Sequence, residues 1–206
     1  MKPMLKDRAA IQHILGVGPT GSGKTHILRK ICRAARMAGY PVYVCTAKAN
    51  PDLRKMLGHE HPDVTAWKKE CGAVVTHEAD YFPRLFWAGK LGPCVIVWDE
   101  AAHDIGKNAE KDILGMFRVA RDMGIMLCAN SQNYTGVDPA IRGQCKKLHL
   151  FNCARPDTRY VVNDYRFDAE SETTIQRATN LGLYEHLHVD TRNRLAEIVD
   201  KNGRAI

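Results

Sequence analysis

One eight-residue stretch near the amino terminus constrains the fold more than any other part of the chain. It consists of Gly18, Pro19, Thr20, Gly21, Ser22, Gly23, Lys24 and Thr25, which fit the pattern G-x-x-x-x-G-K-[ST]. Glycines at these positions let the backbone curl with its N–H groups turned inward, where they form a nest for phosphate oxygens. Such a nest follows a β-strand and opens an α-helix, whose N-terminal dipole also favours negative charge. The stretch therefore predicts a phosphate-binding loop.

The sequence on both sides of the loop supplies the strand and the helix that it requires. The apolar run 11–17 precedes it, and a helix-forming segment covers 26–38 and ends at Gly39. Residues 41–46 read as the second strand of a βαβ unit. We expect an α/β fold of the RecA-like P-loop NTPase type, with a mostly parallel central sheet flanked by helices. The length of 206 residues suits a single domain that spans residues 1–206.

The loop predicts ATP and Mg²⁺ as the cofactors. Lys24 is expected to reach the β- and γ-phosphates, and the Thr25 hydroxyl is expected to be a ligand of the Mg²⁺ ion that bridges them. The candidate nucleotide-binding residues are Gly18, Pro19, Thr20, Gly21, Ser22, Gly23, Lys24, Thr25 and His26.

A second candidate element is the apolar run 94–98, which ends in Asp99 and Glu100. A strand this apolar is buried on both faces, and its carboxyl end lies where α/β sheets place their ligands. Asp99 can then hold the Mg²⁺ shell. Glu100 can orient and polarise the water that attacks the γ-phosphate, which favours a nucleotide hydrolase over a kinase that must exclude water.

Two further elements carry candidate catalytic residues. The apolar residues 125–130 predict a strand between the Asp99 strand and the phosphate loop, so that Gln132 behind it can touch both γ-phosphate and water. The alternative for Gln132 is a solvated residue at a strand end. The segment 112–123 has helical spacing, and it buries its apolar residues while Arg118 and Arg121 point elsewhere.

The rest of the chain gives weaker signals. Residues 53–57 suggest one or two helical turns, Asp80 can cap a helix that runs toward Lys90, and short helices are expected around 139–142, 157–165 and 171–180. Alternation in 183–189 and 195–199 predicts a terminal β-hairpin, with a helix as the alternative for the last segment.

Composition limits the class of protein. No apolar run approaches the length of about 20 residues that a membrane span requires, and the amino terminus lacks a signal peptide. The seven cysteines contain no C-x-x-C pair, so we expect reduced thiols in a soluble, cytoplasmic protein. A net charge of +7 favours an anionic partner such as nucleic acid, the alternative being a basic protein without one.

Three stretches together resemble the FtsK–HerA superfamily of DNA-pumping ATPases. They are the phosphate loop 18–25, the acidic strand 95–101, and the arginine-bearing segment 117–125 that leads to Ser131 and Gln132. The resemblance covers roughly residues 11–165. The short chain is similar to the genome-packaging ATPases of tailless icosahedral viruses with an internal membrane.

The resemblance implies a motor that threads double-stranded DNA through a homo-oligomeric ring, a hexamer or a pentamer. It also implies that an arginine from one subunit completes the site of its neighbour, and here the candidates are Arg121 and, as the alternative, Arg118. Proteins of the viral capsid vertex or membrane are the implied partners, with the protein in the host cytoplasm or at the virion vertex. We see no separate DNA-orienting domain of the kind that cellular translocases carry in these 206 residues, so we expect the viral role rather than a cellular chromosome pump.

Two other classes of ATPase stay open from the sequence. A Zot-like assembly ATPase of filamentous phages normally brings a membrane span, which this sequence does not show. A helicase loader or nucleotide switch binds ATP to change partners without pumping DNA, so steady DNA-stimulated turnover would distinguish a motor from it. A nucleotide kinase is disfavoured by Glu100 and by the lack of an evident arginine-rich lid.

Overall fold

The computed structural model describes residues 11–72, 74–101, 105–107, 109–182, 185–200 and 202–206. Within these residues the strands are β1 (His13–Val17), β2 (Val42–Thr46), β3 (Val74–Thr76), β4 (Cys94–Asp99), β5 (Ile125–Ser131), β6 (Cys145–Leu150), β7 (His186–Asp190) and β8 (Leu195–Val199). The α-helices are α1 (Lys24–Met37), α2 (Pro51–Leu57), α3 (Pro62–Cys71), α4 (Tyr81–Trp87), α5 (Lys111–Val119), α6 (Pro139–Gln144), α7 (Arg155–Tyr165) and α8 (Ala169–Gln176).

All of these strands belong to one sheet in the order β3-β2-β4-β5-β1-β6-β7-β8. Strands β1 to β6 pair in parallel, and β7 and β8 add an antiparallel hairpin at one edge. The predicted α/β fold with a mostly parallel sheet and a C-terminal hairpin is therefore confirmed. Leu183, at the start of the predicted hairpin, lies outside the described residues.

Helices cover both faces of the sheet, and alternate residues of the central strands point to opposite layers. In β4, Val95 and Val97 pack with α1 and α3, whereas Ile96 and Trp98 pack with α4 to α8. The central strands are therefore buried on both faces. They are mostly apolar, and the polar residues of β4 and β5 lie at the carboxyl ends of these strands.

The structure differs from the sequence prediction mainly in the segment 47–72. It contains two helices rather than a turn or two, because Pro51 and Pro62 each stand in a first helical turn and Asn50 and His61 accept the capping N–H bonds. Helix α5 is also shorter than predicted, since residues 120–123 tighten into a 3₁₀ turn before Gly124.

Asp80 stands at the start of α4 as predicted, but the predicted cap is wrong. Its carboxylate makes no capping hydrogen bond and instead pairs with Arg84 one turn along the helix. The seven cysteines are buried and free. No helix among the described residues is long and apolar enough to cross a membrane.

Candidate active site

The carboxyl ends of β1, β4 and β5 meet at one edge of the sheet and surround a cleft of about 380 Å³. The cleft is lined by residues from the predicted phosphate loop, by Asp99 and Glu100, and by Gln132. The loop follows β1, the acidic pair follows β4, and Gln132 follows β5. Parallel pairing therefore brings together chain segments that are more than 100 residues apart.

The loop takes a path that two of its glycines make possible. Gly18 has a φ of +153°, and a Cβ atom there would lie 2.2 Å from the carbonyl oxygen of Phe151. Gly23 has a φ of +106° directly before α1. Both conformations exclude ordinary side chains, so the backbone can turn tightly into the helix. The Ser22 hydroxyl is buried and has no hydrogen-bond partner among the described residues, as expected where a ligand supplies the acceptor.

The Lys24 side chain folds over the loop. Its ammonium donates hydrogen bonds of 2.7 Å to the carbonyl oxygens of Gly18 and Pro19. Burial lowers the pKa of Lys24, and the nearby carboxylates of Asp99 and Glu100 offset part of that effect. The cation is therefore held in a partly desolvated position, where its attraction to an anionic ligand is stronger than in water.

Thr25 and Asp99 meet at the floor of the cleft. The Thr25 hydroxyl donates a hydrogen bond of 3.0 Å to Asp99, and the side-chain amide of Asn130 donates one of 2.9 Å to the same carboxylate oxygen. Asp99 is only 3% exposed. A hydroxyl and a carboxylate are the oxygen ligands that Mg²⁺ prefers, so the pair fits the predicted metal role.

Asn130 is a site residue that the sequence analysis missed. Its position depends on Gly16, because a Cβ atom there would lie 2.3 Å from the Asn130 side-chain oxygen. The sequence feature that could have indicated this role is a polar residue near the end of an otherwise apolar strand. Such a residue is usually hydrogen-bonded when buried, and the Asn130 NH₂ group donates to Asp99, whereas its Oδ1 has no hydrogen-bond partner among the described residues.

Glu100 has a backbone conformation that is rare for its residue type. Its φ is +65°, in the left-handed region, which costs about 1–2 kcal/mol for a residue with a side chain. Such strain is concentrated at functional positions. The Glu100 carboxylate lies 3.2 Å from the ammonium of Lys48, a second residue that the sequence analysis missed.

Gln132 lies at the rim of the cleft and is exposed. Its strand, β5, lies between β4 and β1, so the predicted neighbourhood of this residue is correct. Its contact with phosphate or water stays a prediction.

Arg118 and Arg121 lie away from the cleft. Arg118 is exposed at the end of α5, and Arg121 is half-buried in the following turn. Burial, and next to it the charge of Arg121, lower the pKa of His13 to about 4. His13 stands at the start of β1, and the phosphate loop follows the other end of that strand. Neither arginine lines the cleft of its own chain.

A parallel sheet with a glycine loop after its first strand and an acidic pair after a central strand defines the P-loop NTPase class. No protein-family model matches the chain, and no curated protein matches it. Solved structures do share its fold. The genome packaging NTPase B204 from Sulfolobus turreted icosahedral virus 2, in complex with ATP-gammaS, matches with a TM-score of 0.70 and 18% identity over 100% of both chains.

This chain also matches part of two larger proteins of known structure. The cytoplasmic domain of the Thermomonospora curvata type VII secretion ATPase EccC matches 93% of this chain and 24% of its own, with a TM-score of 0.60 and 14% identity. The pCW3 conjugation coupling protein TcpA matches 86% of this chain and 56% of its own, with a TM-score of 0.53 and 19% identity. The predicted resemblance to genome-packaging ATPases is confirmed at the level of the fold.

Proposed function

We propose that this chain is an ATP-hydrolysing motor that moves double-stranded DNA and packages a viral genome into a preformed capsid. The observation that carries the proposal is the meeting of Thr25, Asp99 and Glu100 beside the glycine loop. A likeness in fold to the genome packaging NTPase B204 along the whole chain supports the packaging role. We take residues 1–206 to act as a single domain.

The loop is proposed to bind the phosphates of ATP. Its backbone N–H groups, together with the start of α1, favour negative charge, and the partly buried Lys24 is positioned to exchange its bonds with loop carbonyls for phosphate oxygens. His26 lines the same cleft and completes the proposed nucleotide-binding set.

Thr25 and Asp99 are the proposed holders of Mg²⁺. When bound, the ion neutralises negative charge that develops on the β- and γ-phosphates. The Asn130 side-chain amide donates to the same Asp99 oxygen that accepts from Thr25, which keeps the carboxylate oriented toward the Thr25 hydroxyl.

Glu100 is the proposed general base. Its carboxylate is 44% exposed and lines the cleft, where it could orient and polarise the water that attacks the γ-phosphate. Gln132 enters the cleft from the neighbouring strand and is proposed to orient the same water.

An arginine from a neighbouring subunit is proposed to complete the site. Neither Arg121 nor the alternative, Arg118, lines the cleft of its own chain, so the proposal is that a second copy brings the arginine to the phosphates. A ring of such subunits can surround DNA, and the net charge of +7 favours the polyanion. We place the motor in the host cytoplasm or at the virion vertex, where capsid or membrane proteins would anchor it.

The test is ATPase activity with and without duplex DNA, combined with the mass of the assembly in a nonhydrolysable ATP analogue. We expect a ring whose turnover rises with DNA and whose DNA affinity falls steeply with salt. Turnover that ignores DNA, with nucleotide binding intact, would favour the helicase-loader or switch alternative. Dependence on a membrane protein rather than DNA would favour the Zot-like alternative.

A further inference from the structure

Lys48 reaches into the cleft although it belongs to no recognised motif. It stands in a short 3₁₀ turn, Ala47–Ala49, directly after β2. Strand β2 pairs with β4 so that Thr46 is opposite Asp99, which brings the next residues of both strands close together. The turn is fixed, because the backbone N–H of Lys48 donates to the Thr46 hydroxyl at 3.3 Å. Lys48 is therefore built into the same edge of the sheet as Glu100.

The Lys48 ammonium lies between two carboxylates. It donates a hydrogen bond of 2.6 Å to Asp63 in the first turn of α3, and it lies 3.2 Å from Oε1 of Glu100. Its side chain is 20% exposed, against 44% for Glu100. Burial acts to lower the pKa of Lys48, but the hydrogen bond to Asp63 and the charges of Asp99 and Glu100 outweigh burial and raise it. The ammonium thus keeps its charge inside the cleft.

We propose that Lys48 is the positioning residue for Glu100, held in place by Asp63. This inference rests on the proposed function, in which Glu100 activates the attacking water. The backbone of Glu100 is fixed by its left-handed conformation, but a half-exposed side chain with three rotatable bonds could still point in many directions. The Lys48 ammonium fixes the far end of that side chain.

The contacts among Lys48, Asp63 and Glu100 predict different losses of activity for different substitutions. Loss of Lys48 leaves the Glu100 carboxylate without its described partner, so the base would lose its orientation while the phosphate loop stays intact. Loss of Asp63 removes only the second partner of Lys48, so a smaller effect is expected. Arginine at position 48 can keep a charge-assisted hydrogen bond to Glu100 and should restore most of the function.

The experiment compares Lys48→Met, Lys48→Arg and Asp63→Asn with wild type by steady-state ATPase kinetics and by direct titration with a nonhydrolysable ATP analogue. Misplacing a catalytic group by about 1 Å can cost about 10²-fold, so we expect kcat of Lys48→Met to fall by about 10-fold to 100-fold. KM and the Kd of the analogue should change by less than about threefold. The matched control is Lys68→Met. This change breaks another lysine–carboxylate pair, between Lys68 on α3 and Glu60 just before that helix.

A double-mutant cycle with Glu100→Asp tests whether Lys48 acts through Glu100. Aspartate is shorter by one methylene and should not reach the ammonium, so Lys48→Met should add little loss in that background. A fully additive loss would overturn the proposal, as would wild-type kcat in Lys48→Met. If Lys48→Met does not fold, Lys48→Gln provides the same comparison.

Two other outcomes have distinct meanings. A large rise in KM and in the Kd of the analogue, with unchanged kcat, would make Lys48 a phosphate ligand and overturn the positioning role alone. Absence of ATPase activity in the wild type, or a Glu100→Gln variant as active as wild type, would instead contradict the proposed function itself.

Discussion

Thr25 and Asp99 are separated by 74 positions in the chain, yet the Thr25 hydroxyl donates a 3.0 Å hydrogen bond to the Asp99 carboxylate. The contact joins the first turn of α1 to the end of β4. It exists because β5 lies between β1 and β4, so that the three strands end at one edge. The fold thus converts two distant sequence motifs into one oxygen-rich site.

The first prediction separates nucleotide binding from hydrolysis. Lys24→Ala should abolish ATP binding, because Lys24 is the cation proposed to contact the ground-state phosphates. Glu100→Gln should keep binding and lower kcat by about 10²-fold to 10⁴-fold, because only the base is lost. Analogue titration and single-turnover hydrolysis measure the two effects separately. Near-normal hydrolysis by Glu100→Gln would show that Glu100 is not the base.

The second prediction concerns the space that Gly16 leaves for Asn130. Gly16→Ala should push the Asn130 side chain off Asp99, cost about 1–3 kcal/mol of unfolding free energy through overpacking, and reduce Mg²⁺-dependent turnover. Adding Asn130→Ala removes the clash, so the two stability losses should not add. Urea unfolding and ATPase assays measure both effects.

The control for this prediction is Gly143→Ala. A Cβ atom at Gly143 meets nothing within 4 Å, and the residue lies in α6, so alanine should be neutral or slightly stabilising. Additive losses for Gly16→Ala and Asn130→Ala would mean that the two residues act independently.

The third prediction is a loss of stability in mild acid caused by His13. The backbone N–H of Leu127 donates to His13 Nδ1, and His13 Nε2 lies 3.1 Å from the Phe117 carbonyl oxygen, so the ring is neutral in the fold. Burial, with Arg121 next in effect, lowers its pKa to about 4, against 6.5 for an ordinary histidine. Between these values the unfolded chain binds more protons, and unfolding free energy must fall as pH falls.

The full effect of His13 amounts to about 3 kcal/mol between pH 6.5 and pH 4, at about 1.4 kcal/mol per pKa unit. His149, whose pKa is lowered first by burial and then by neighbouring histidines and Lys147, acts in the same direction. His13→Gln should therefore flatten the dependence of urea-unfolding free energy on pH without removing it. His59→Gln, the same substitution at an exposed position, is the matched control.

Local sequence patterns predicted the loop, the central strands and the acidic pair, because each needs only neighbouring residues to define it. Lys48 and Asn130 were missed because their roles come from contacts between distant segments. Helix α3 was missed although Val64, Trp67 and Cys71 have helical spacing, since its N-cap is His61, a residue outside the usual capping set. Asp63, which is the partner of Lys48, lies in the first turn of α3 and could not be placed without predicting that helix.

The last prediction is that Arg121 acts in the site of a neighbouring subunit, with Arg118 as the alternative. Neither arginine lines the cleft of its own chain, and the charge of Arg121 acts on His13, which stands at the end of β1 opposite the loop. The planar, permanently charged guanidinium suits phosphate oxygens and stabilises charge that develops on the γ-phosphoryl group.

Arg121→Ala should therefore bind ATP normally and lose about 10³-fold to 10⁵-fold in turnover, the range typical of an arginine finger. Arg159→Ala, which removes an exposed arginine from α7, is the matched control and should keep wild-type turnover. A normal rate in Arg121→Ala together with a loss in Arg118→Ala would transfer the role to Arg118.

A mixing experiment tests whether the arginine acts between subunits. Arg121→Ala and Lys24→Ala should each be inactive alone, but in a mixed ring an Arg121→Ala cleft keeps its own Lys24 and can receive Arg121 from a Lys24→Ala neighbour. Part of the activity should return in proportion to such pairs, measured as ATPase rate against mixing ratio. If mixed rings are confirmed by mass and neither Arg121→Ala nor Arg118→Ala recovers activity, the arginines serve only the surface of their own subunit, where exposed ion pairs contribute little to stability.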